Sequence, residues 1–159
     1  MIELKKITNE NFKECIKLSA GEGSDKFVAP NTISIAQAYV VQENDTCTPF
    51  PFAIYNDEEM VGFIQLAYYR EDQEESIDEP IYEVWRFMID EKFQGKGYGR
   101  AALLEGIKFA KTYPMGTANK LYLSYVPGNE KASSLYESVG FRANGEVEDG
   151  EIIMVYDMR

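Results

Sequence analysis

The sequence predicts an α/β fold in which helices flank a mixed central β-sheet. Apolar and polar residues alternate in the strand pattern over "IELKKI", whereas apolar residues recur at helical spacing in "NEKASSLYESVG". Such segments follow one another in the order β-α-α-β-β-β-α-β-α-β-β, which is typical of helices layered on a sheet. The length of 159 residues fits one domain, so we expect a single domain over residues 1–159.

The first third of the chain is predicted to contain one strand and two helices. Ile2–Ile7 alternate in the strand pattern. Thr8 or Asn9 can begin a helix that runs to about Ala20, because either side-chain oxygen can accept from the exposed amides of a first turn. A loop then leads to a second short helix over "SIAQAYVVQ".

Three strands are predicted next. "FAIYNDEEMVGFIQLAYY" has the pattern of a hairpin that turns at Asn56–Glu59, and the prolines before it indicate a loop. The connection Glu71–Glu79 carries six carboxylates, which is typical of a solvated segment. "IYEVWRFMID" is nearly apolar throughout and is therefore predicted to be a central strand.

The last third is predicted to contain two helices and three strands. A helix opened by glycines follows the central strand, and "KLYLSYV" is the next strand. Asn129 can cap the second helix, which Gly140 ends in the C′ position. "FRANGEVEDGEIIMVYDM" then forms two strands around a turn.

The composition restricts the chemistry available to the protein. The sequence has no histidine, which excludes a Ser-His-Asp triad, a Cys-His pair and an imidazole-ligated metal. Cys15 and Cys47 offer neither a disulfide framework nor a CxxC site, so free thiols and no metal are expected. Any acid–base work must fall to carboxylates, tyrosine, lysine, cysteine or water.

The charge balance restricts the partners. Sixteen Lys and Arg residues face 27 Asp and Glu residues, which gives a net charge of −11 at pH 7. This balance disfavours nucleic acid and suits either a small cationic partner or plain solubility. No window approaches 18 consecutive apolar residues and the N-terminus lacks a signal-peptide pattern, so a cytoplasmic protein without membrane contact is predicted.

Three glycines stand where the helix after the central strand must begin. Gly95, Gly97 and Gly99 allow a sharp backbone turn and the close approach of a bulky anion to unpaired amides. The positive end of the helix dipole lies at the same place. A phosphate or pyrophosphate is therefore the predicted guest, and a flexible turn is the alternative.

The spacing excludes three other glycine-rich phosphate loops. A P-loop requires GxxxxGK[ST], but Lys96 is followed by Gly97. A Rossmann turn requires GxGxxG in an early strand–helix unit, with an acidic residue at the end of the next strand. A kinase glycine loop lies between strands and opens no helix. Gln94 and Arg100, like Lys96, can instead add side-chain donors beside the glycines.

The spacing that fits is Q-x-x-G-x-G, from Gln94 to Gly99, directly after a strand. Further along, "NEKASSLYESVGF" has the form N-x-x-A-x-x-L-Y-x-x-x-G-F. On these two motifs the chain, from about Phe52 to its end, resembles the GNAT superfamily of acetyl-CoA-dependent N-acetyltransferases. The resemblance implies a GNAT-like, mostly antiparallel sheet and acetyl-CoA as cosubstrate. It places the coenzyme at Met88, Ile89, Gln94, Gly95, Lys96, Gly97, Tyr98, Gly99, Arg100 and Asn129.

Acetylation of an amine requires a base, because an alkyl amine with a pKa of about 10.4 is almost fully protonated at pH 7. Glu83 matches the base position of some GNAT subfamilies, although an ordinary solvated carboxylate or a water chain is the alternative. Strand alternation predicts Glu83, Trp85 and Phe87 on one face, and Tyr82, Val84 and Arg86 on the other.

Tyr136 is the candidate general acid. It lies on an apolar helix stripe, which is also typical of a core tyrosine, but the resemblance implies that it protonates the departing coenzyme sulfur. The resemblance further implies that strands splay near Met88 and free a backbone amide for the acetyl carbonyl.

The region "EGSDKFVAPNTISIAQAY" is similar to the segment between the first two helices of bacterial spermine/spermidine acetyltransferases in the same superfamily. This similarity implies a polyamine acceptor, and the GNAT resemblance implies direct transfer without an acyl-enzyme. Because a polyamine requires carboxylates spaced along a partly apolar groove, Glu22 and Asp25 are candidates for the acceptor site. Trp85 is a candidate beside them, and a core position is its alternative. Protein N-termini, lysines and aminoglycosides are alternative acceptors. A non-catalytic acyl-CoA-binding module is an alternative from another class, and a homodimer is left open.

Overall fold

A computed structural model describes residues 1–159. Its strands are β1 (Ile2–Lys6), β2 (Thr48–Asn56), β3 (Glu59–Tyr69), β4 (Ile81–Ile89), β5 (Lys120–Tyr125), β6 (Arg142–Glu148) and β7 (Glu151–Asp157). Its helices are α1 (Phe12–Lys17), α2 (Asn31–Glu43), α3 (Tyr98–Ala110) and α4 (Glu130–Ser138). The order of elements is the one that the sequence predicts.

The seven strands form one sheet in the order β1-β2-β3-β4-β5-β7-β6. Only β4 and β5 pair in parallel, because α3 crosses over between them, and every other pair is antiparallel. The predicted α/β class with a mixed, mostly antiparallel sheet is thereby confirmed. None of the helices is long and apolar enough to cross a membrane.

Helices cover both faces of this sheet. The larger core joins β3 and β4 to α3, with Leu66, Val84 and Leu103 among its buried members. A smaller core on the opposite face joins Phe63 and Met88 to α1 and α2. The side on which a β4 residue points therefore decides which pair of helices it meets.

Three predicted boundaries are wrong, two of the first helix and one of β2. The first helix begins at Phe12, because Asn11 accepts from the Thr8 amide through its side chain and thereby closes a separate turn before the helix. It ends at Lys17, since Leu18 is extended. Strand β2 begins at Thr48, inside the predicted loop, and its prolines are tolerated because β1 pairs only with Phe52–Asn56 and leaves the rest of β2 at an edge.

A β-bulge in β4 overturns the predicted alternation of its side chains. Gln65 pairs with Arg86 and the next residue of β3, Leu66, pairs with Val84, so Trp85 has no partner across the ladder. The extra residue reverses the alternation after Trp85. Arg86 consequently shares a face with Glu83, whereas Phe87 joins Val84 on the α3 side.

Candidate active site

The sheet opens between β4 and β5 on the C-terminal side of their contact. These strands pair only at Tyr82–Leu121 and Glu83–Tyr122, after which β5 pairs with β7 alone. The edge of β4 from Val84 to Ile89 therefore faces no strand on that side. Backbone groups along this edge can bind a ligand. The buried Met88 lies on this edge, and the resemblance given above implies a free backbone amide there for an acetyl carbonyl.

The glycine turn beyond β4 has the geometry that an anion requires. Gly95 and Gly97 adopt left-handed conformations, with φ of 77° and 84°, and nothing lies within 4 Å of the space that a side chain would take at either position. Gly97 precedes the first turn of α3 and supplies no side-chain cap, so the first amides of that helix stay available. An unobstructed, positively polarised helix start suits a pyrophosphate.

Gly99 serves a different purpose from the one that its motif suggests. A methyl group added there would lie 3.3 Å from Leu135 Cδ2 and 3.6 Å from the Phe87 ring. The absence of a side chain at Gly99 therefore lets α3 approach β4 and α4 closely. Its contribution to an anion site is indirect, through the placement of the helix start.

The charged side chains of the glycine turn extend into solvent, whereas its tyrosine side chain contacts the protein. Lys96 and Arg100 are exposed, so both can reach an anion on the turn. The Tyr98 hydroxyl accepts from Asn56 Nδ2 at 3.2 Å, so the Tyr98 side chain is held toward the β2–β3 turn. What Tyr98 offers to a ligand is accordingly its backbone amide at the start of α3.

Helix α4 holds Tyr136 through defined ends. Asn129 Oδ1 accepts from the Ala132 amide at 3.3 Å, which confirms the predicted cap. At the other end the Gly140 amide donates to Glu137 and the Phe141 amide to Tyr136, which is a Schellman arrangement and confirms Gly140 at C′. Tyr136 lies within the last turn that these bonds fix.

The Tyr136 ring packs among other aromatic rings beside the open edge of β4. Its centroid lies 6.5 Å from Phe87, 6.4 Å from Tyr125 and 6.3 Å from Phe141. Burial, reinforced by the charge of Glu151, raises the pKa of Tyr136 to about 12. The phenol therefore stays protonated at neutral pH and keeps a proton that it can donate.

Glu83 lies on the opposite face, at the point where β4 and β5 separate. Burial raises the pKa of Glu83 to about 7, although the neighbouring Tyr69 hydroxyl opposes the rise. The charge of Glu74 adds to the rise and that of Arg86 opposes it. A carboxyl group with a pKa near the ambient pH is suited to accept and release a proton.

Arg86 is the site residue whose surroundings were predicted wrongly. The bulge turns it toward α2, where its guanidinium donates to Gln37 Oε1 at 3.1 Å and to the backbone oxygen of Trp85 at 3.0 Å. Burial lowers the pKa of Arg86, and Glu83 opposes that shift. Trp85 itself is partly exposed and belongs to neither core.

Acidic residues from two other segments reach this region, and sequence reasoning did not assign them individually. Glu74, in the β3–β4 connection, and Glu148, on β6, both raise the pKa of Glu83. Glu151, on β7, acts on the pKa values of Tyr136 and Arg86. The acidic runs "EDQEESIDE" and "EVEDGE" were a visible signal, but their convergence depends on the sheet order.

Asp25 lies at the other end of the open edge, whereas Glu22, in the same α1–α2 loop, does not line the cleft there. Both are exposed, and Asp25 lines a cleft of about 170 Å³ together with Ser24, Asn31 and Met88. Since Met88 is five residues beyond Glu83, the two acidic regions are separated by about 15 Å along the strand. The structure thus spreads the carboxylates along a path instead of gathering them at one point.

Neither cysteine is poised for nucleophilic chemistry. Burial raises the pKa of Cys15 to about 12 and that of Cys47 to about 11. A thiol with such a pKa holds almost no thiolate at pH 7. Cys47 nevertheless lies near the site, because the Tyr69 hydroxyl and Glu83 both act on its pKa.

The match to a family model identifies the class of this protein. The model of the acetyltransferase (GNAT) family matches residues 20–141, and the chain belongs to that family. The chain is 29% identical to a spermine/spermidine N(1)-acetyltransferase of Bacillus subtilis (strain 168), with 99% of both chains covered. It is 28% identical, at the same coverage, to a probable spermine N(1)-acetyltransferase of B. subtilis subsp. natto (strain BEST195).

Solved structures share the fold. The PaiA N-acetyltransferase of Thermoplasma acidophilum, in complex with coenzyme A, superposes with a TM-score of 0.69 at 18% identity, and 99% of both chains is covered. The aminoglycoside acetyltransferase AAC(6')-Ib, also in complex with coenzyme A, gives 0.77 at 19% identity, covering 99% of this chain and 95% of its own. Both likenesses concern the fold, since neither identity reaches a quarter.

Proposed function

We propose that residues 1–159 form a single catalytic domain that transfers an acetyl group from acetyl-CoA to a primary amine of a polyamine. The observation that carries this proposal is the placement of Glu83 and Tyr136 beside one opening in the sheet. Glu83 lies on the α1–α2 face with its pKa near 7, and Tyr136 lies on the α3–α4 face with its proton retained. A base and an acid thus flank the gap from opposite sides.

We assign the two substrates to opposite faces of the sheet. The glycine turn and Tyr136 share the α3–α4 face, so that face holds the coenzyme, whose thioester supplies the acetyl group. Glu83, Asp25 and the α1–α2 loop share the other face, so that face holds the amine. The unpaired edge of β4 connects the two through the opening, and a backbone amide near Met88 polarises the carbonyl.

The residues account for every proton in the transfer. Glu83 takes a proton from the ammonium group, directly or through a water, and leaves a neutral amine. The amine nitrogen attacks the carbonyl carbon, the new C–N bond forms and the C–S bond breaks. Tyr136 gives its proton to the departing sulfur and takes up, directly or through a water, the second proton that the attacking nitrogen releases, so the phenol is restored and only the proton held by Glu83 remains to be released to solvent. Because Cys15 and Cys47 hold almost no thiolate, we propose direct attack without an acyl-enzyme.

The acceptor assignment has two supports. The two Bacillus relatives carry names of spermine and spermidine acetyltransferases. The acidic path from Glu74 and Glu148, past Glu83, to the cleft at Asp25 also provides separated anionic positions for a chain with several ammonium groups. Trp85, partly exposed on the same strand, can face an ammonium group or an alkyl spacer.

A screen of amines for free-thiol release from acetyl-CoA tests this proposal. Spermine and spermidine should be acetylated faster than a monoamine of similar length, a lysine peptide or an aminoglycoside. Their kcat/KM should fall steeply with added salt, whereas the monoamine should respond weakly. If spermine and spermidine do not exceed a simple alkylamine, the polyamine assignment is wrong; if no amine gives turnover, a non-catalytic module is indicated.

Carboxylate variants locate the remote ammonium group. Asp25→Asn and Glu148→Gln each remove one charge, at opposite ends of the acidic path. The variant at the end that binds the remote ammonium group should raise KM for spermine more than it lowers kcat. Glu105→Gln removes a charge from α3, on the other face, and serves as the matched control. If all three variants changed the KM for spermine equally, the carboxylates of the acidic path would act only through the overall negative charge of the protein.

A further inference from the structure

The loop between α1 and α2 is bound to the segment that leads from β4 into the glycine turn. The Glu91 amide donates to the Ser19 oxygen at 2.8 Å, and the Ser19 amide donates to Asp90 Oδ2 at 3.0 Å. Gln94 Nε2 donates to the Ala20 oxygen at 3.1 Å. Three hydrogen bonds therefore join stretches that lie about seventy residues apart in the sequence.

The Gln94 side chain is occupied by these contacts. Its Nε2 also donates to the Ile89 oxygen at 2.9 Å, and its Oε1 accepts from Lys131 Nζ at 3.5 Å. Both amide hydrogens thus have protein acceptors, and neither is free for an anion on the turn. The glutamine that opens the Q-x-x-G-x-G motif therefore faces the loop, whereas the sequence alone suggested a donor to the coenzyme.

Asp90 is the buried counterpart of Gln94. It is 6% exposed, its Oδ2 holds Ser19 and its Oδ1 accepts from the Lys92 amide at 3.0 Å. One carboxylate thus ties the end of α1 to the turn after β4. Hydrogen bonds from amides to a buried carboxylate are stronger than neutral ones, so this contact resists local opening.

We infer that Gln94 and Asp90 are positioning residues that fasten the α1–α2 loop, Leu18–Pro30, to the glycine turn, so that coenzyme binding stiffens the loop on the acceptor side. The turn residues and the fastened residues belong to one continuous segment, Ile89–Gly99. A ligand that immobilises the amides of Gly95–Gly99 restrains Gln94 next to them, and Gln94 restrains Ala20. The loop also lines the cleft at Met88, so the restraint reaches the place where the acceptor is proposed to bind.

Coupling of this kind is reciprocal and has a measurable size. Couplings between two sites typically correspond to about 5–150-fold changes in affinity. The inference rests on the proposed function only in calling the cleft an acceptor site. The hydrogen bonds between loop and turn are a property of the free protein, and their response to coenzyme A is a property of the binary complex, so both can be measured without an acceptor.

Hydrogen–deuterium exchange of the full chain, with and without saturating coenzyme A, tests the inference. In the wild-type protein coenzyme A should slow exchange of the amides in residues 19–30 by roughly the same 5-fold or more. Gln94→Met keeps the length of the side chain and removes its hydrogen bonds. In that variant the loop should exchange faster without ligand, and coenzyme A should slow it less than in the wild type, while the Kd for coenzyme A changes by less than about threefold, which is below that coupling range.

Two further variants complete the test. Gln42→Met makes the same chemical change on the exposed end of α2 and should leave the exchange of the loop as in the wild type. Asp90→Asn should loosen the loop as Gln94→Met does, because an amide cannot accept from both the Ser19 and the Lys92 amides. If circular dichroism shows that Gln94→Met does not fold, Asp90→Asn tests the inference in its place.

The outcomes separate this inference from the proposed function. Loop exchange that is equal in the wild type and in Gln94→Met overturns the fastening, whatever ligand binds. A Kd for coenzyme A that rises more than tenfold in Gln94→Met, with the protection of the loop retained, makes Gln94 a coenzyme ligand and also overturns it. If coenzyme A does not bind the wild type at all, the proposed function fails, and the ligand-free comparison still decides the fastening. With a turning-over acceptor, Gln94→Met should raise its KM more than it lowers kcat.

Discussion

The buried carboxyl group of Glu83 provides a test in which stability and activity should move in opposite directions. Its pKa is raised from 4.5 to about 7, chiefly by burial. Between these two pH values the folded protein holds a proton that the unfolded chain has released, so folding becomes less favourable as the pH rises. The destabilisation is absent below about pH 4.5 and complete above about pH 7. At about 1.4 kcal/mol per pH unit it amounts to roughly 3–4 kcal/mol in all, part of which has already developed by pH 5.

Glu83→Gln removes this titration and keeps the shape of the side chain. Urea unfolding of both proteins between pH 5 and 8.5 yields the difference in their free energies of unfolding. That difference should shift by about 2–3 kcal/mol in favour of the variant as the pH rises, and should level off above about pH 8. Every other titrating group is common to both proteins, so the difference isolates Glu83. A difference that does not depend on pH would refute the raised pKa.

The same variant should lose activity. A positioned base contributes about 10²–10⁴-fold, so kcat/KM should fall by that factor at pH 7. The acidic limb of the wild-type pH profile, expected near pH 7, should disappear. If the variant is more stable at high pH but its kcat/KM keeps the acidic limb of the wild type, Glu83 is buried and titrates as described but is not the base. The base would then be water or another carboxylate.

Three further predictions concern other residues of the site. Tyr136→Phe should lower kcat by about 10²–10⁴-fold with wild-type circular dichroism, and a loss below threefold would return Tyr136 to a packing role. Tyr69→Phe removes a hydroxyl that lowers the pKa of Glu83, so the acidic limb of kcat/KM should move to higher pH; an unmoved limb would show that this hydroxyl does not act on the base. Gly97→Val should weaken acetyl-CoA binding, expected in the micromolar range, because its left-handed backbone is strained with a side chain, whereas Gly99→Val should also lower the unfolding temperature by displacing α3. Calorimetry that finds unchanged affinity in both glycine variants would refute the pyrophosphate assignment.

The features that the sequence predicted correctly are local ones. The glycine turn and the caps of α4 are each determined by residues within one or two helical turns, so their motifs carry the geometry with them. The order of the elements follows from the period of the hydrophobic pattern for the same reason. Tyr136 could be placed on the correct helix because its motif and its helical stripe coincide.

The features that sequence reasoning missed depend on partners far away in the chain. The bulge at Trp85 exists only relative to β3, so nothing within β4 shows that Arg86 joins the face of Glu83. The joint effect of Glu74 and Glu148 on Glu83 depends on the sheet order, in which β7 lies between β5 and β6. The short α1 likewise follows from the bond between Ser19 and Asp90, whose two residues have no visible relation in the sequence.

The polar side chains on the acceptor face explain why the two cores of the protein differ. The core under α3 is apolar, whereas the opposite face of the same strands buries Gln65 beside Arg86, and neither the Gln65 amide nor Arg86 Nε has a hydrogen-bond partner. Buried polar groups without partners destabilise a fold by about 1–3 kcal/mol each. Added to the raised pKa of Glu83, they concentrate the destabilisation where the proposed amine must lose its proton. The apolar α3 side must supply the stability that this face lacks, so a side chain at Gly99, which would meet Leu135 and Phe87, should lower the stability of the whole fold by pushing α3 away from β4 and α4.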